Sequence, residues 1–190
     1  MAHPLLHLTP NTIPPMANYK LIVPFILCYE GGFVNDPADR GGATNRGVTM
    51  ATWRAYCARK GKPATIQTLK AMTQSEWEYI FKTQYWNKLQ ADLINDQSLA
   101  SMLADYAWHS GVNTAARALQ MVLALKPDGI IGPSTLKAIN TCPPRTTFEA
   151  LKQARLKHLN NIARLHPSQR KFLKGWTNRV NAITYGKLSY

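Results

Sequence analysis

The chain has 190 residues, a hydrophobic fraction of 45% and a formal net charge of +13. This length supports a domain with its own core, and the three scattered cysteines match neither a disulfide framework nor a zinc site. The longest apolar run, residues 21–29, is too short to span a membrane, so no stable membrane insertion is expected. The charge favours a polyanionic partner: nucleic acid, an anionic membrane surface or a bacterial cell wall.

The first 17 residues predict a flexible leader. The segment "MAHPLLHLTPNTIPP" is broken by prolines and lacks both the positive start and the continuous apolar stretch of a Sec signal. We therefore expect synthesis in the cytoplasm and, if the protein acts on the cell wall in the periplasm or outside, release by a route other than Sec.

The patterned part of the chain predicts a mainly α protein with one small β-hairpin or loop lobe. The first helix is expected over residues 18–29, with Asn18 as its cap and Pro24 as a kink inside it. A loop or hairpin follows over residues 31–48, which hold turn residues and few apolar ones. Caps and apolar periodicity predict further helices over residues 49–60, 73–87, 96–109, 113–125, 134 onward, 147–165 and 167–185. We divide the chain into a catalytic region, 18–93, and a helical region, 94–190, packed together as one compact unit.

Carboxylates are concentrated in the most glycine-rich stretch, "CYEGGFVNDPADRGGATNRGVT", which holds three of the ten Asp and Glu residues. Glu30, at a predicted helix end beside glycines, is well placed as a general acid. Asp39 follows nine residues later and Thr44 five residues after that. Asp36, before Pro37, is better explained as a turn residue, and Asp39 could equally form a surface ion pair with its neighbour Arg40. Glycoside hydrolysis needs an acid on the leaving oxygen and an anionic or water-holding group on the other face of the sugar.

The same stretch resembles the signature of glycoside hydrolase family 108, the N-acetylmuramidases, also described as secretion activators. The shared elements are EGG, an aromatic residue, DP, D-x-GG-x-T and G-V-T. The resemblance extends over residues 18–185 through "YWNKLQAD", "DYAWHSGVNTAARALQ", "DGIIGPSTLKAI" and "FLKGWTNRV". The last three are similar to the peptidoglycan-binding region that accompanies the catalytic module.

The resemblance implies a lysozyme-like helical domain that hydrolyses the β-1,4 bond between N-acetylmuramic acid and N-acetylglucosamine. Glu30 would be the general acid. Asp39 would stabilise positive charge or orient water, and Thr44 would help to hold that water. No cofactor or metal is implied, and the stereochemical outcome depends on a carboxyl separation that a sequence does not give.

Further candidates for binding the glycan are aromatic and polar. Tyr85, Trp86 and Trp108 could stack on sugar rings, with burial in the core as the alternative. His109 and Asn113 could contact N-acetyl or hydroxyl groups, with N-capping as the alternative for Asn113. His109 has no neighbour at metal-ligand spacing, so no metal site is predicted.

The expected partner is bacterial peptidoglycan, bound by a monomer. Nucleic acid is not expected, because the chain has no recognised motif and no dense basic helix. The alternative function is a non-catalytic peptidoglycan-binding protein that assists secretion. The presence of both Glu30 and Asp39 favours the enzyme.

Overall fold

The computed structural model describes residues 16–35 and 42–188, without the side chain of Leu188. The described residues form nine α-helices: α1 (Val23–Tyr29), α2 (Met50–Lys60), α3 (Ile66–Lys70), α4 (Gln74–Phe81), α5 (Gln97–Ser110), α6 (Val112–Val122), α7 (Pro133–Thr141), α8 (Pro144–Leu165) and α9 (Leu173–Ala182). Short 3₁₀ segments lie at Tyr19–Leu21, Ala91–Leu93 and Pro167–Phe172, and a π-helical turn at Lys82–Trp86. None of the described helices is long and apolar enough to cross a membrane.

A small antiparallel sheet follows α1 directly. Its strands β1 (Phe33–Val34), β2 (Thr44–Asn45) and β3 (Val48–Thr49) are ordered β1-β2-β3, with Phe33 opposite Asn45 and Asn45 opposite Val48. This confirms the predicted mainly α class with a small hairpin lobe. A second hairpin, β4 (Ile183–Thr184) with β5 (Lys187–Leu188), ends the described chain where a continuous helix was expected.

The start of the chain differs from its prediction in two respects. Pro24 lies in the first turn of α1 and does not kink a longer helix. A 3₁₀ turn precedes α1, and the Asn18 side chain caps that turn by accepting from the backbone N of Lys20. A proline in the first helical turn removes no intrahelical hydrogen bond, so this break costs little. Ala17, assigned to the leader, is buried, and its backbone N donates to the carbonyl of Ile94 at 3.1 Å. The rest of the leader, residues 1–15, lies outside the described residues.

The cap signals match the starts of two further helices, whereas α8 begins at Pro144, three residues before its predicted start. Thr49 caps α2, and Thr73 with Glu76 forms a capping box at the start of α4. The predicted helix over 73–87 is α4 continued by the π-helical turn. The five-residue α3 was not predicted, because it is too short to show apolar periodicity.

Helix α5 runs through the centre of the molecule. Nine consecutive residues from Leu99 to Ala107 are buried, and α5 packs against α6 and α8. A helix buried on all sides holds its last turn in a fixed position. That last turn carries Trp108 and His109 towards α1 and the small sheet.

Candidate active site

Glu30 is held at the end of α1 by two donors on one oxygen. Trp108 Nε1 donates to Glu30 Oε1 at 2.7 Å, and Arg179 Nη1 donates to the same oxygen at 2.8 Å. The Glu30 side chain keeps 14% of its surface exposed. No described residue donates a hydrogen bond to Oε2. The carboxyl group is therefore held through one of its two oxygens.

The turn between β2 and β3 lies beside the second oxygen, Oε2. Its two central residues, Arg46 and Gly47, have φ values of 46° and 76°, as a two-residue type I′ hairpin requires. Trp77 Nε1 donates to the carbonyl of Arg46 at 2.8 Å and anchors the turn on α4. A Cβ atom at Gly47 would lie 2.6 Å from Glu30 Oε2 and 2.7 Å from Trp108 Cζ2. Only glycine fits between the turn and the carboxyl group.

A buried network of charged residues fixes the arginine that contacts Glu30. Arg179 Nη2 donates to Asp105 Oδ1 at 2.7 Å, and Arg155 Nη1 lies 2.8 Å from Asp105 Oδ2. Burial would raise the pKa of Asp105, but the two guanidinium groups outweigh burial and hold this pKa below its usual range. Asp105 is thus a carboxylate at neutral pH, and it fixes the arginine that touches Glu30.

Glu30 opens into a cleft of about 500 Å³. This volume falls within the range of about 300–1,000 Å³ that is common for small-molecule sites. The cleft is lined by Tyr29, Glu30, Gly47, Trp108, His109, Lys171, Phe172, Gly175, Trp176 and Arg179.

His109 lies in this cleft as a neutral ring. Burial, followed by the nearby guanidinium groups of Arg155 and Arg179, lowers its pKa to about 4. Its ring packs edge-on against Trp176, with centroids 5.4 Å apart, and Nδ1 lies 3.2 Å from Ser110 Oγ. His109 is therefore available for hydrogen bonding, not for charge pairing, at neutral pH.

The low pKa of His109 predicts a loss of stability in mild acid. As pH falls from about 6.5 to about 4, the unfolded chain takes up a proton at this residue and the folded chain does not, so folding becomes less favourable. We expect His109→Gln to lose less unfolding free energy than the wild type between pH 7 and pH 4.5 in urea titrations. The exposed His166, changed to Gln, is the matched control. Equal losses in all three proteins would contradict the assignment.

The remaining predicted residues are placed as follows. Tyr85 lies 4.8 Å from Trp108, ring to ring, and lines a second hollow of about 470 Å³. Trp86 is fully buried and donates to Asp92, so it presents no face to a ligand and takes the core alternative. Asn113 lies in the first turn of α6, away from the cleft, where its Oδ1 accepts from Arg117 Nε at 2.8 Å. It does not cap α6.

The two supporting residues of the predicted catalytic set have different outcomes. Thr44 is on β2, paired with Val34 and Thr49 in the sheet that carries the Gly47 turn. Asp39 lies outside the described residues, as does Asp36. Their catalytic and turn roles stay predictions. Within the ranges 16–35 and 42–188, no group of three His, Cys, Asp or Glu side chains could hold a metal ion.

Four residues of the site were not predicted: Asp105, Phe172, Trp176 and Arg179. A signal was present in each case. Phe172, Trp176 and Arg179 recur at helical spacing in "FLKGWTNRV", and Asp105, Trp108 and His109 do so in "DYAWHSG". Such spacing places each set on one helix face.

A glutamate at a helix end, a small sheet beside it and a sugar-sized cleft within a helical domain define a lysozyme-like glycoside hydrolase. Comparison with known proteins gives the family. Residues 23–111 match the family model described as Glycosyl hydrolase 108, and residues 111–181 match one described as Predicted Peptidoglycan domain. The chain belongs to glycoside hydrolase family 108. It is a glycoside hydrolase with a peptidoglycan-binding region, as the motifs predicted.

A solved structure supports the same assignment. The chain is similar to the structure titled "Structure of Brucella abortus SagA", with 34% identity, a TM-score of 0.72, and coverage of 86% of this chain and 90% of that one. A search of curated proteins found no match. The two family models meet at Gly111, between α5 and α6, and the sequence-based boundary after residue 93 stays a prediction.

These matches show how the cleft is assembled. Glu30, Gly47 and Trp108 belong to the hydrolase region, whereas Phe172, Trp176 and Arg179 belong to the peptidoglycan-binding region. The candidate active site therefore lies between the two regions.

Proposed function

We propose that this protein is an N-acetylmuramidase that cleaves the β-1,4 bond between N-acetylmuramic acid and N-acetylglucosamine in peptidoglycan. The observation that carries the proposal is the placement of Glu30. It is a partly exposed carboxyl group at the cleft surface, oriented by Trp108 and Arg179. No other carboxyl group of the described residues lines this cleft.

The geometry favours different roles for the two oxygens of Glu30, with Oε1 accepting hydrogen bonds and Oε2 carrying the proton. Oε1 accepts both described hydrogen bonds, so a proton on the carboxyl group is placed on Oε2. Oε2 would then donate that proton to the glycosidic oxygen as the bond breaks. Trp108 and Arg179 would stabilise the carboxylate that forms. A positioned general acid of this kind contributes about 10²–10⁴-fold to a rate.

The predicted pair, Asp39 and Thr44, would act on the other face of the sugar. Asp39 would stabilise the positive charge that develops at the anomeric carbon or orient water, and Thr44 would help to hold that water. Thr44 lies in the sheet whose turn contacts Glu30, which is consistent with this role.

The proposal is tested by the clearing of purified bacterial sacculi. The wild-type protein should lower the turbidity of the suspension with time and release soluble muropeptides. A protein that only binds peptidoglycan, the alternative function, would sediment with the sacculi and leave the turbidity and the soluble fraction unchanged. That result would overturn the proposal.

Gly47 offers a probe of the packing around Glu30. We expect Gly47→Ala to reduce clearing by at least about tenfold, because the new Cβ would displace the Glu30 carboxyl group or the Trp108 ring. The positive φ adds about 1 kcal/mol of destabilisation. Gly186→Ala is the control, since Gly186 has a φ of 81° and no atom within 4 Å of an added Cβ. Equal activity of the two variants would mean that the turn does not shape the site.

A further inference from the structure

One wall of the cleft takes no part in the proposed chemistry. Lys171 and Phe172 at the end of the 3₁₀ segment and Trp176 in α9 form this C-terminal wall, which lines the same cleft as Glu30. Phe172 is 46% exposed, and its ring centroid lies 5.9 Å from that of Trp176. Lys171 Nζ lies 5.0 Å from the Phe172 centroid. Large rings left exposed at a cleft are typical of a binding surface.

The rings of this wall are held in place. Trp176 contacts both Phe172 and His109, with ring centroids 5.9 Å and 5.4 Å away, and His109 belongs to the buried helix α5. Phe172 has no polar atom on its side chain, so its contacts with a ligand would be apolar. A fixed aromatic face suits the C–H surface of a sugar ring, and ordering it beforehand lowers the entropic cost of binding.

The positive charge of the C-terminal part of the chain favours an anionic ligand at the wall. The sequence after Glu149 contains nine Lys and Arg residues and no Asp or Glu. Two of these cations, Arg155 and Arg179, are paired with Asp105 and Glu30. Lys171 has no carboxylate partner within the described parts of the chain. Its ammonium group is therefore free to pair with a carboxylate of a ligand at the cleft.

We propose that the C-terminal wall is a subsite for the N-acetylmuramic acid unit of the glycan. Phe172 and Trp176 stack on the sugar ring, and Lys171 pairs with the carboxylate that this unit bears. That carboxylate is the lactyl group in strands without peptides and a stem-peptide carboxylate in intact strands. N-acetylglucosamine bears neither, so the wall distinguishes the two alternating sugars.

This inference rests on the proposed function and extends it. A subsite that accepts only every second sugar fixes the register of the strand against Glu30. The wall would thereby determine which of the two alternating glycosidic bonds reaches the acid. The peptidoglycan-binding region would then supply specificity as well as affinity.

The test compares Lys171→Gln with Lys174→Gln on three soluble substrates. Lys174 is an exposed lysine three residues away that does not line the cleft, so it controls for net charge. The substrates are peptide-bearing strands, strands stripped by an amidase, and stripped strands whose lactyl carboxylates have been converted to methylamides. The release of reducing ends gives KM and kcat for each protein.

We expect Lys171→Gln to raise KM about three- to tenfold on at least one carboxylate-bearing substrate, with kcat nearly unchanged, and to have no effect on the methylamide strands. A higher KM on the stripped strands would identify the lactyl carboxylate as the partner of Lys171. A higher KM on the peptide-bearing strands alone would identify the stem-peptide carboxylate. Phe172→Ala should raise KM by a similar factor on all three, and Phe172→Leu by less.

Two results would overturn the inference. One is that Lys171→Gln and Lys174→Gln have equal KM and kcat on every substrate. The other is that Lys171→Gln raises KM on the methylamide strands as much as on the strands that bear carboxylates. Both require an active wild-type enzyme. A wild-type protein that releases no reducing ends would instead refute the proposed function, so the two failures are distinguishable.

Discussion

Replacement of Glu30 by glutamine is expected to abolish the clearing of sacculi while leaving the fold intact. The amide oxygen can still accept from Trp108 and Arg179, but the amide cannot transfer a proton to the leaving oxygen. We expect a loss of about 10²–10⁴-fold in the rate of reducing-end release. Arg179 keeps its partner Asp105 in the variant, so thermal unfolding should change little.

Glu149→Gln is the control for this experiment. Glu149 is exposed on α8 and forms no ion pair with a described residue, so its replacement removes the same charge far from the cleft. Its activity should equal that of the wild type. A Glu30→Gln protein that clears sacculi at the wild-type rate would refute the role of Glu30 as the acid.

The largest loss of stability is expected for Asp105→Asn. This change leaves the buried guanidinium group of Arg155 without a carboxylate partner and leaves Arg179 paired with Glu30 alone. Removing one partner from a buried ion pair costs about 3–5 kcal/mol. For a chain of this size, that lowers the unfolding temperature by roughly 6–20 °C, measurable by circular dichroism. Activity should fall as well, because Arg179 loses the group that fixes it beside Glu30.

A double variant separates the charge effect from a simple packing defect. Adding Arg155→Met to Asp105→Asn removes the guanidinium charge that lost its partner, so the double variant should be more stable than the sum of the single losses predicts. Lys62→Ala is the control for a surface pair: its partner is Glu76, Lys62 is 53% exposed, and little loss of stability is expected. Strict additivity of the two buried changes would contradict the network.

The sequence was sufficient for features that depend on local chemistry. Thr49 and Thr73 marked helix starts because a hydroxyl cap satisfies backbone N–H groups within three residues. The turn residues within 31–48 predicted a loop or hairpin, and the strands β1, β2 and β3 form there. The position of Glu30 at a helix end followed from the apolar periodicity that precedes it.

Features that depend on distant contacts could not be predicted in the same way. Arg179 lies 149 residues after Glu30, and nothing near either residue in the sequence indicates that they pair. The burial of Trp86 depends on packing against Tyr19 and Phe81, which a single helix pattern does not reveal. Asn113 was predicted to contact the glycan because it follows the polar residues between two predicted helices. It lies instead in the first turn of α6, where it accepts a hydrogen bond from Arg117.

We propose that Glu30 protonates the bond whose hydrolysis leaves N-acetylmuramic acid at the new reducing end. The most direct test is to digest purified peptidoglycan with the wild-type protein, reduce the products with borohydride and identify the new ends by mass spectrometry. We expect reduced N-acetylmuramic acid at the ends of the muropeptides that the wild type releases, and none of these ends with Glu30→Gln. Ends that carry reduced N-acetylglucosamine, or cut peptide stems on uncut glycan, would contradict it.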